Sequence, residues 1–254
     1  MKNTIKEVLN FINYFSLKNF ISLSNKHVFI VGSAPNLNLD YFSDDKVIIS
    51  CNGSALNAKK NNLPDPFLTI VDNELIDKDI ATTKPSRSII VNNELLKDIY
   101  LGKLISVQSN FSKGGSPEIL KANYSNFKSV NKNVRRMILK KILKVNWIEG
   151  DDLSLASTGG FTIALCAFFK AKTITFEGFN LFQEDGNELK HFYESDKIIQ
   201  DVRLKNNTKA HSLADSIIIG CLAARGVKLY SSEKDFFPLL NNWGQPKFKY
   251  KKDD

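Results

Sequence analysis

The feature that most constrains this chain is a series of short apolar runs, each stopping at a polar residue or a glycine. HVFIV at 27–31 runs into Gly32, Ser33 and Ala34, and KVIIS at 46–50 into Cys51, Asn52 and Gly53. PFLTIV at 66–71 runs into Asp72 and Asn73, and SIIV at 88–91 into Asn92 and Asn93. Short β-branched and aromatic runs without a polar face suit strands buried on both sides of a parallel sheet. TITF at 173–176, ending at Glu177, and VKLY at 227–230 extend the series. Helical stretches at 161–170 and about 212–225 alternate with these later runs. Right-handed crossovers then predict an α/β protein: a Rossmann-like, doubly wound, mostly parallel sheet with helices on both faces. Residues 103–153 are less regular, apart from one cationic helix.

In open parallel sheets ligands bind beyond the carboxyl ends of the strands. Gly32, Ser33, Asn52, Asp72 and Asn92 are therefore expected to converge on one crevice, with Gly32 letting a ligand approach the backbone. Turn formation alone explains any one of them; the recurrence at four strand ends favours a binding site. STGG at 157–160 precedes the apolar helix, whose exposed N-terminal amides are expected to hold an anion.

The 254 residues correspond to one large domain with appendages. Residues 1–26 form an N-terminal appendage in which Ile5, Val8, Leu9, Ile12, Phe15 and Phe20 recur at helical spacing. This amphipathic helix is expected to pack on the core rather than lie on a membrane. The main domain is assigned to 27–235, with a polar lid-like insert at about 183–210, and a polar basic tail at 236–254. In the cationic helix at 131–144, Val134, Ile138 and Ile142 line one face and Arg135, Arg136, Lys140, Lys141 and Lys144 the rest. The formal net charge of +8 favours an anionic partner.

Cys51, Cys166 and Cys221 are widely spaced in apolar stretches and read as reduced core thiols of a cytoplasmic protein. The longest apolar run, 161–169, is about half a membrane span. No P-loop, nucleophile elbow, dinucleotide-binding glycine motif or zinc spacing occurs, so common ATP and NAD sites and a metal centre are not expected. Asp77 and Asp79 have the spacing of a metal-binding DxD, but three residues among turn formers are read as coincidence. Of the three histidines, His27 begins a strand and is assigned a structural role, while His191 lies in the insert. His211, at the start of a helix, is the best candidate general base.

Taken in order, VFIVGSAPNL at 28–37, SCNG at 50–53, STGG at 157–160, EGFNLFQ at 177–183 and AHS at 210–212 resemble bacterial sialyltransferases of glycosyltransferase family 42. The resemblance runs from about residue 27 to 231. It implies a flexible lid and an inverting, metal-independent transfer of a 2-keto sugar acid (sialic acid, another nonulosonate or Kdo) from a CMP donor, with no separate cofactor. The acceptor implied is a bacterial lipooligosaccharide or capsule glycan; nucleic acid is not an expected partner. Peripheral contact with an anionic inner membrane is a separate expectation, from the N-terminal amphipathic stretch, the basic helix and the tail lysines Lys247, Lys249, Lys251 and Lys252. His211 matches the catalytic base. Gly32, Ser33 and Asn52 fall in the nucleotide crevice, Thr158 and Gly159 near the phosphate or sugar carboxylate, and Asn180 and Phe182 beside the cytidine. Ser33 and Asp72 stand where the family has asparagine, and Phe182 where it has a tyrosine that helps the phosphate leave; Tyr193 in the insert offers a replacement phenol. The alternatives are a pyrophosphokinase-like enzyme requiring ATP and magnesium, and a non-catalytic binding protein for anionic surfaces.

Overall fold

The computed structural model describes residues 15–34, 37–72, 96–107, 118–143, 156–179 and 208–233. Among them, seven strands join into one sheet: β1 (His27–Val31), β2 (Lys46–Cys51), β3 (Leu68–Asp72), β4 (Lys103–Val107), β5 (Asn126–Val130), β6 (Thr173–Glu177) and β7 (Leu229–Tyr230). Their order is β5-β4-β3-β2-β1-β6-β7 and every pairing is parallel. The chain winds outward from β1 to β5 and then returns to add β6 and β7 on the other side. The order therefore reverses between β1 and β6, which makes that junction the switch point of the sheet.

The helices are α1 (Ser54–Lys60), α2 (Lys132–Leu143), α3 (Thr158–Phe168) and α4 (Thr208–Ala224). Alternation along each strand divides the core. Val28, Ile30, Ile49, Ile70 and Phe176 face α2, α3 and α4 in the main cluster, whereas Phe29, Val31 and Ile48 face α1 and the loop carrying Leu37, Leu39 and Phe42. α3 is buried along most of its length, which accounts for its apolar sequence; α2 is amphipathic, with Lys140 and Lys141 exposed.

Two sequence expectations change, and a third lies outside the described residues. The stretch from 103 contains two strands, β4 and β5, that periodicity did not reveal. β5 lies at the sheet edge and reads NFKSV, a half-exposed pattern with no continuous apolar run. Arg135 does not join the solvated face of α2. It is buried, donates from Nη2 to the Ala156 carbonyl and lies 5.3 Å from the centre of the Phe161 ring. The segment 88–93, expected as a strand ending in asparagines, lies outside the described residues; the strand beside β3 is β4.

Of the N-terminal stretch, 15–20 is helical. Leu17, Ile21 and Leu23 reach the main core, while Phe15, assigned above to the apolar face, is 46% exposed. The buried face therefore follows the i, i+4 pair Leu17 and Ile21. Lys103 fastens the end of this helix, donating to the Phe20 carbonyl at 2.8 Å with its ammonium over the Phe20 and Phe67 rings. Because Leu17 is completely buried, Leu17→Ala is expected to lower the unfolding free energy by about 2–5 kcal/mol in urea titration, and a loss below about 0.5 kcal/mol would show that this segment does not hold the core.

Candidate functional site

The switch point is set by two glycines. At the end of β1 the Gly32 amide donates to the Glu177 carbonyl at 2.7 Å, and the Ala34 amide to the Gly178 carbonyl at 3.0 Å. Pairing thus continues past both strands. A Cβ on Gly32 would stand 2.1 Å from the Gly178 oxygen and 3.0 Å from the Phe179 ring. Gly178 has φ +80, a left-handed conformation that glycine adopts without strain. Gly32 thus has a structural reason to be glycine as well: β1 and the β6 turn touch there.

The loop after β1 is held from the other side by α1. Asn57, 2% exposed, donates to the carbonyls of Gly32 at 3.2 Å and Ala34 at 2.9 Å. Ser54 donates to the Val31 carbonyl at 2.6 Å and accepts from the Cys51 amide at 2.7 Å. These bonds fix the half-buried Ser33 between two anchored neighbours. Asn52 follows β2 with φ 53, its amide bonded to the Ile70 carbonyl at 2.8 Å. Asp72 is the last residue of β3. Strand spacing then places the ends of β3, β2, β1 and β6 along about 15 Å of the same sheet edge.

The N-terminus of α3 joins this edge through Phe179. A Cβ on Gly159 would lie 2.2 Å from that ring, so Gly32 and Gly159 meet opposite sides of one phenyl group. The ring also packs edge-on against Phe176, with centroids 5.6 Å apart. Thr158, half-buried, opens α3 and its carbonyl accepts from Thr162 at 2.7 Å.

The start of α3 also carries contacts that the sequence did not indicate. Ser157 caps α3 by accepting from the Gly160 amide at 2.9 Å. Asp215 of α4, itself 5% exposed, accepts from the Ser157 amide at 2.9 Å and from the Ser157 hydroxyl. A Cβ on Gly160 would stand 2.1 Å from the Asp215 carboxylate. The helix terminus therefore already has a resident anion, supplied by the protein. Asp215 follows His211 by four residues, one turn of α4, so both positions share a helix face. The grip on Ser157 consequently brings the first turns of α4 to the start of α3. Sequence reasoning passed over Asp215 because one carboxylate inside an apolar helix carries no motif.

Glu177 was also missed as a functional residue. At the end of β6 it is 1% exposed, and its carboxylate accepts from the Ser232 amide and hydroxyl, both at 2.7 Å. Burial pushes its carboxyl up to about 7, and Asp40 adds to that, against the opposing pull of Ser232 and Lys46. A strand-forming run, Thr173–Phe176, ending in glutamate before a glycine was the available signal.

His27 bonds Thr173 at 2.8 Å at the opposite end of the strands, in keeping with its structural assignment. Cys51, Cys166 and Cys221 are free and buried, and burial pushes the Cys51 thiol up to about 12. Asn180, Phe182, His191, Tyr193, Asp77 and Asp79 lie outside the described residues, as do the side chains of Asp72 and His211. Among the described residues no helix is long and apolar enough to cross a membrane.

No protein-family model matches the chain, and no curated protein matches its sequence. Solved structures do. The chain is similar to the monofunctional alpha-2,3-sialyltransferase Cst-I from Campylobacter jejuni at 14% identity and a TM-score of 0.48, over 85% of this chain and 78% of that one. It is similar to the sialyltransferase CstII from Campylobacter jejuni in complex with cytidine-5'-monophosphate at 14% identity and a TM-score of 0.43, over 82% and 80%. A structure of CST-II with a trisaccharide acceptor and CMP aligns at 12% identity and a TM-score of 0.45, over 81% and 80%.

The Glu177 carboxyl makes a pH prediction with a definite sign. The unfolded chain releases this proton near 4.5 and the folded chain near 7, so in that window the unfolded state binds fewer protons and stability falls as pH rises. Glu177→Gln is expected to remove about 3 kcal/mol of that fall, read as the change in unfolding free energy between pH 4.5 and 8 relative to the parent. An unchanged difference would assign the proton uptake elsewhere.

Proposed function

We propose that the protein is a metal-independent, inverting glycosyltransferase that moves a 2-keto sugar acid from a CMP donor to a bacterial lipooligosaccharide or capsule glycan. The sugar acid is sialic acid, another nonulosonate or Kdo. The observation that carries this reading is the Asp215 grip on Ser157. It ties the helix of His211 to the start of α3, which Phe179 joins to Gly32 at the switch point. Segments spread over nearly 190 positions, which the sequence resemblance assigned to one site, are thus linked by short contacts.

In this reading His211 takes the proton from the acceptor hydroxyl as its oxygen attacks the anomeric carbon. The bond from that carbon to the CMP phosphate breaks on the opposite face, inverting the configuration, and CMP departs with both bonding electrons. Tyr193 supplies a phenol to the departing phosphate. Asn180 and Phe182 flank the cytidine, Ser33 and Asn52 bind from the ends of β1 and β2, and Asp72 accepts from a donor hydroxyl. Thr158 and the Gly159 amide meet the phosphate or sugar carboxylate. The work is done in the cytoplasm, in peripheral contact with the inner membrane, where both donor and lipid-linked acceptor are made.

Two measurements test this. CMP in EDTA is expected to raise the melting temperature by about 5 °C or more at roughly 100 times its Kd. Stabilisation only by ATP with magnesium would overturn the reading in favour of a pyrophosphokinase-like enzyme. With a competent donor and acceptor, His211→Ala is expected to lower kcat by about 10²- to 10⁴-fold while CMP stabilisation persists, and full activity in that variant would remove His211 as the base.

A further inference from the structure

We propose that Glu177 and Glu233 form a reciprocal clasp across the ends of β6 and β7, and that this clasp positions Phe179 and the residue after it for the nucleotide. The paired register of β6 and β7 ends at Thr175 and Tyr230. On its other side β6 pairs with β1 up to Glu177 and, through Gly32, beyond it. The end of β6 is therefore held by backbone towards β1 and by side chains towards β7. Two positions past the last pair, Glu177 stands opposite Ser232, whose amide and hydroxyl both donate to its carboxylate at 2.7 Å. In the reverse direction the Phe179 amide donates to Oε1 of Glu233. The Glu233 amide donates to the Ser231 hydroxyl at 3.2 Å, and Ser231 is completely buried, so the segment carrying the second carboxylate is itself anchored.

A closed circuit results. Glu177 holds Ser232, Ser232 precedes Glu233, and Glu233 holds the amide of Phe179, two residues past Glu177. The physical cost of this arrangement argues for a purpose beyond joining two strands. A parallel ladder carried on by backbone groups would satisfy the same amides without burying an ionisable group. Here Glu177 is 1% exposed, and burial pushes its carboxyl up to about 7, with Asp40 raising it further and Lys46 opposing. Perturbed carboxyls of this kind concentrate at functional sites. This one stands at the carboxyl end of a strand beside the switch point.

What the clasp controls is Phe179. Its ring lies where Cβ atoms on Gly32 and Gly159 would stand, so a displacement of its backbone is felt by the loop after β1 and by the start of α3. Phe179 also directly precedes Asn180, assigned above to the cytidine. Glu177 and Glu233 are thus positioning residues that act through Phe179, and only their bearing on the nucleotide rests on the transferase reading.

The test combines hydrogen exchange at the Phe179 amide with calorimetric titration of CMP, both on the full chain. Glu233→Ala is expected to speed exchange of that amide by about tenfold or more and to weaken CMP binding by about tenfold, because a hydrogen bond to a charged group is lost. Glu177→Ala is expected to act in the same way through Ser232. Glu177→Gln and Glu233→Gln keep an acceptor for each amide and are expected to stay within about threefold of the parent in both readouts. Leu17→Ala, destabilised in the core away from the site, is expected to leave CMP affinity within about threefold, which separates positioning from a general loss of stability. Should an alanine variant fail to fold, Ser232→Ala removes only the hydroxyl bond to Glu177 and is expected to give about threefold effects in the same directions. Unchanged exchange at Phe179 in these variants would overturn the clasp. Faster exchange with CMP affinity at the parent's level would overturn the positioning role. A parent that binds no CMP would overturn the transferase reading and with it the bearing on the nucleotide, while the clasp stands or falls on the exchange of Phe179 alone.

Discussion

At the junction of β1 and β6 two backbone segments approach so closely that neither Gly32 nor Gly178 leaves room for a side chain. The rest of the functional end is built on this contact. It allows the hydrogen bonds from Gly32 and Ala34 to continue the parallel ladder beyond the strands, which brings Phe179 under the loop after β1. Phe179 in turn occupies the space that the missing Cβ of Gly159 leaves open, so α3 starts against the same ring. α4 follows because Asp215 fits only where Gly160 has no side chain. Gly32, Gly159 and Gly160 with one phenyl ring thus fix the relative placement of β1, β6, α3 and α4. An alanine at any of the three must displace a backbone oxygen, an aromatic ring or a buried carboxylate.

Much of this fold was legible because parallel strands buried on both faces leave an unambiguous sequence trace. β1 and β2 were read from apolar runs, β3 and β6 from apolar and β-branched runs that include threonine, and α3 from an apolar stretch too short for a membrane. β4 and β5 were not. β5 has one neighbour instead of two and keeps polar residues on a half-exposed face, so its pattern resembles that of a loop. The switch point was legible as a strand end, but the reason for its glycines was not: a glycine that admits a ligand and one that admits another chain segment look identical in sequence. The same limit hid Asp215 and Arg135, whose buried partners are a serine hydroxyl and a carbonyl brought close only by the fold.

The local electrostatics of the site differ from what the net charge suggests. Asp215 is held at the positive end of α3, and Glu177, Asp40 and Glu233 lie around the end of β6. Burial keeps Glu177 substantially protonated at neutral pH, which reduces the local negative field but does not make it positive. Asp215 accepts hydrogen bonds from the Ser157 amide and hydroxyl.

An incoming anion at α3 therefore meets a helix terminus that is already partly compensated. A second negative charge at this terminus would be repelled by an ionised Asp215 carboxylate. The Gly160 amide is also taken by Ser157, so what α3 can offer a ligand comes from Thr158 and Gly159. Hydroxyls and single amides can support a leaving group of one phosphate, whose charge is small and delocalised, better than a diphosphate that needs a concentrated countercharge. Among the described residues, what the start of α3 leaves to a ligand is therefore a hydroxyl and single amides rather than a cluster of cations.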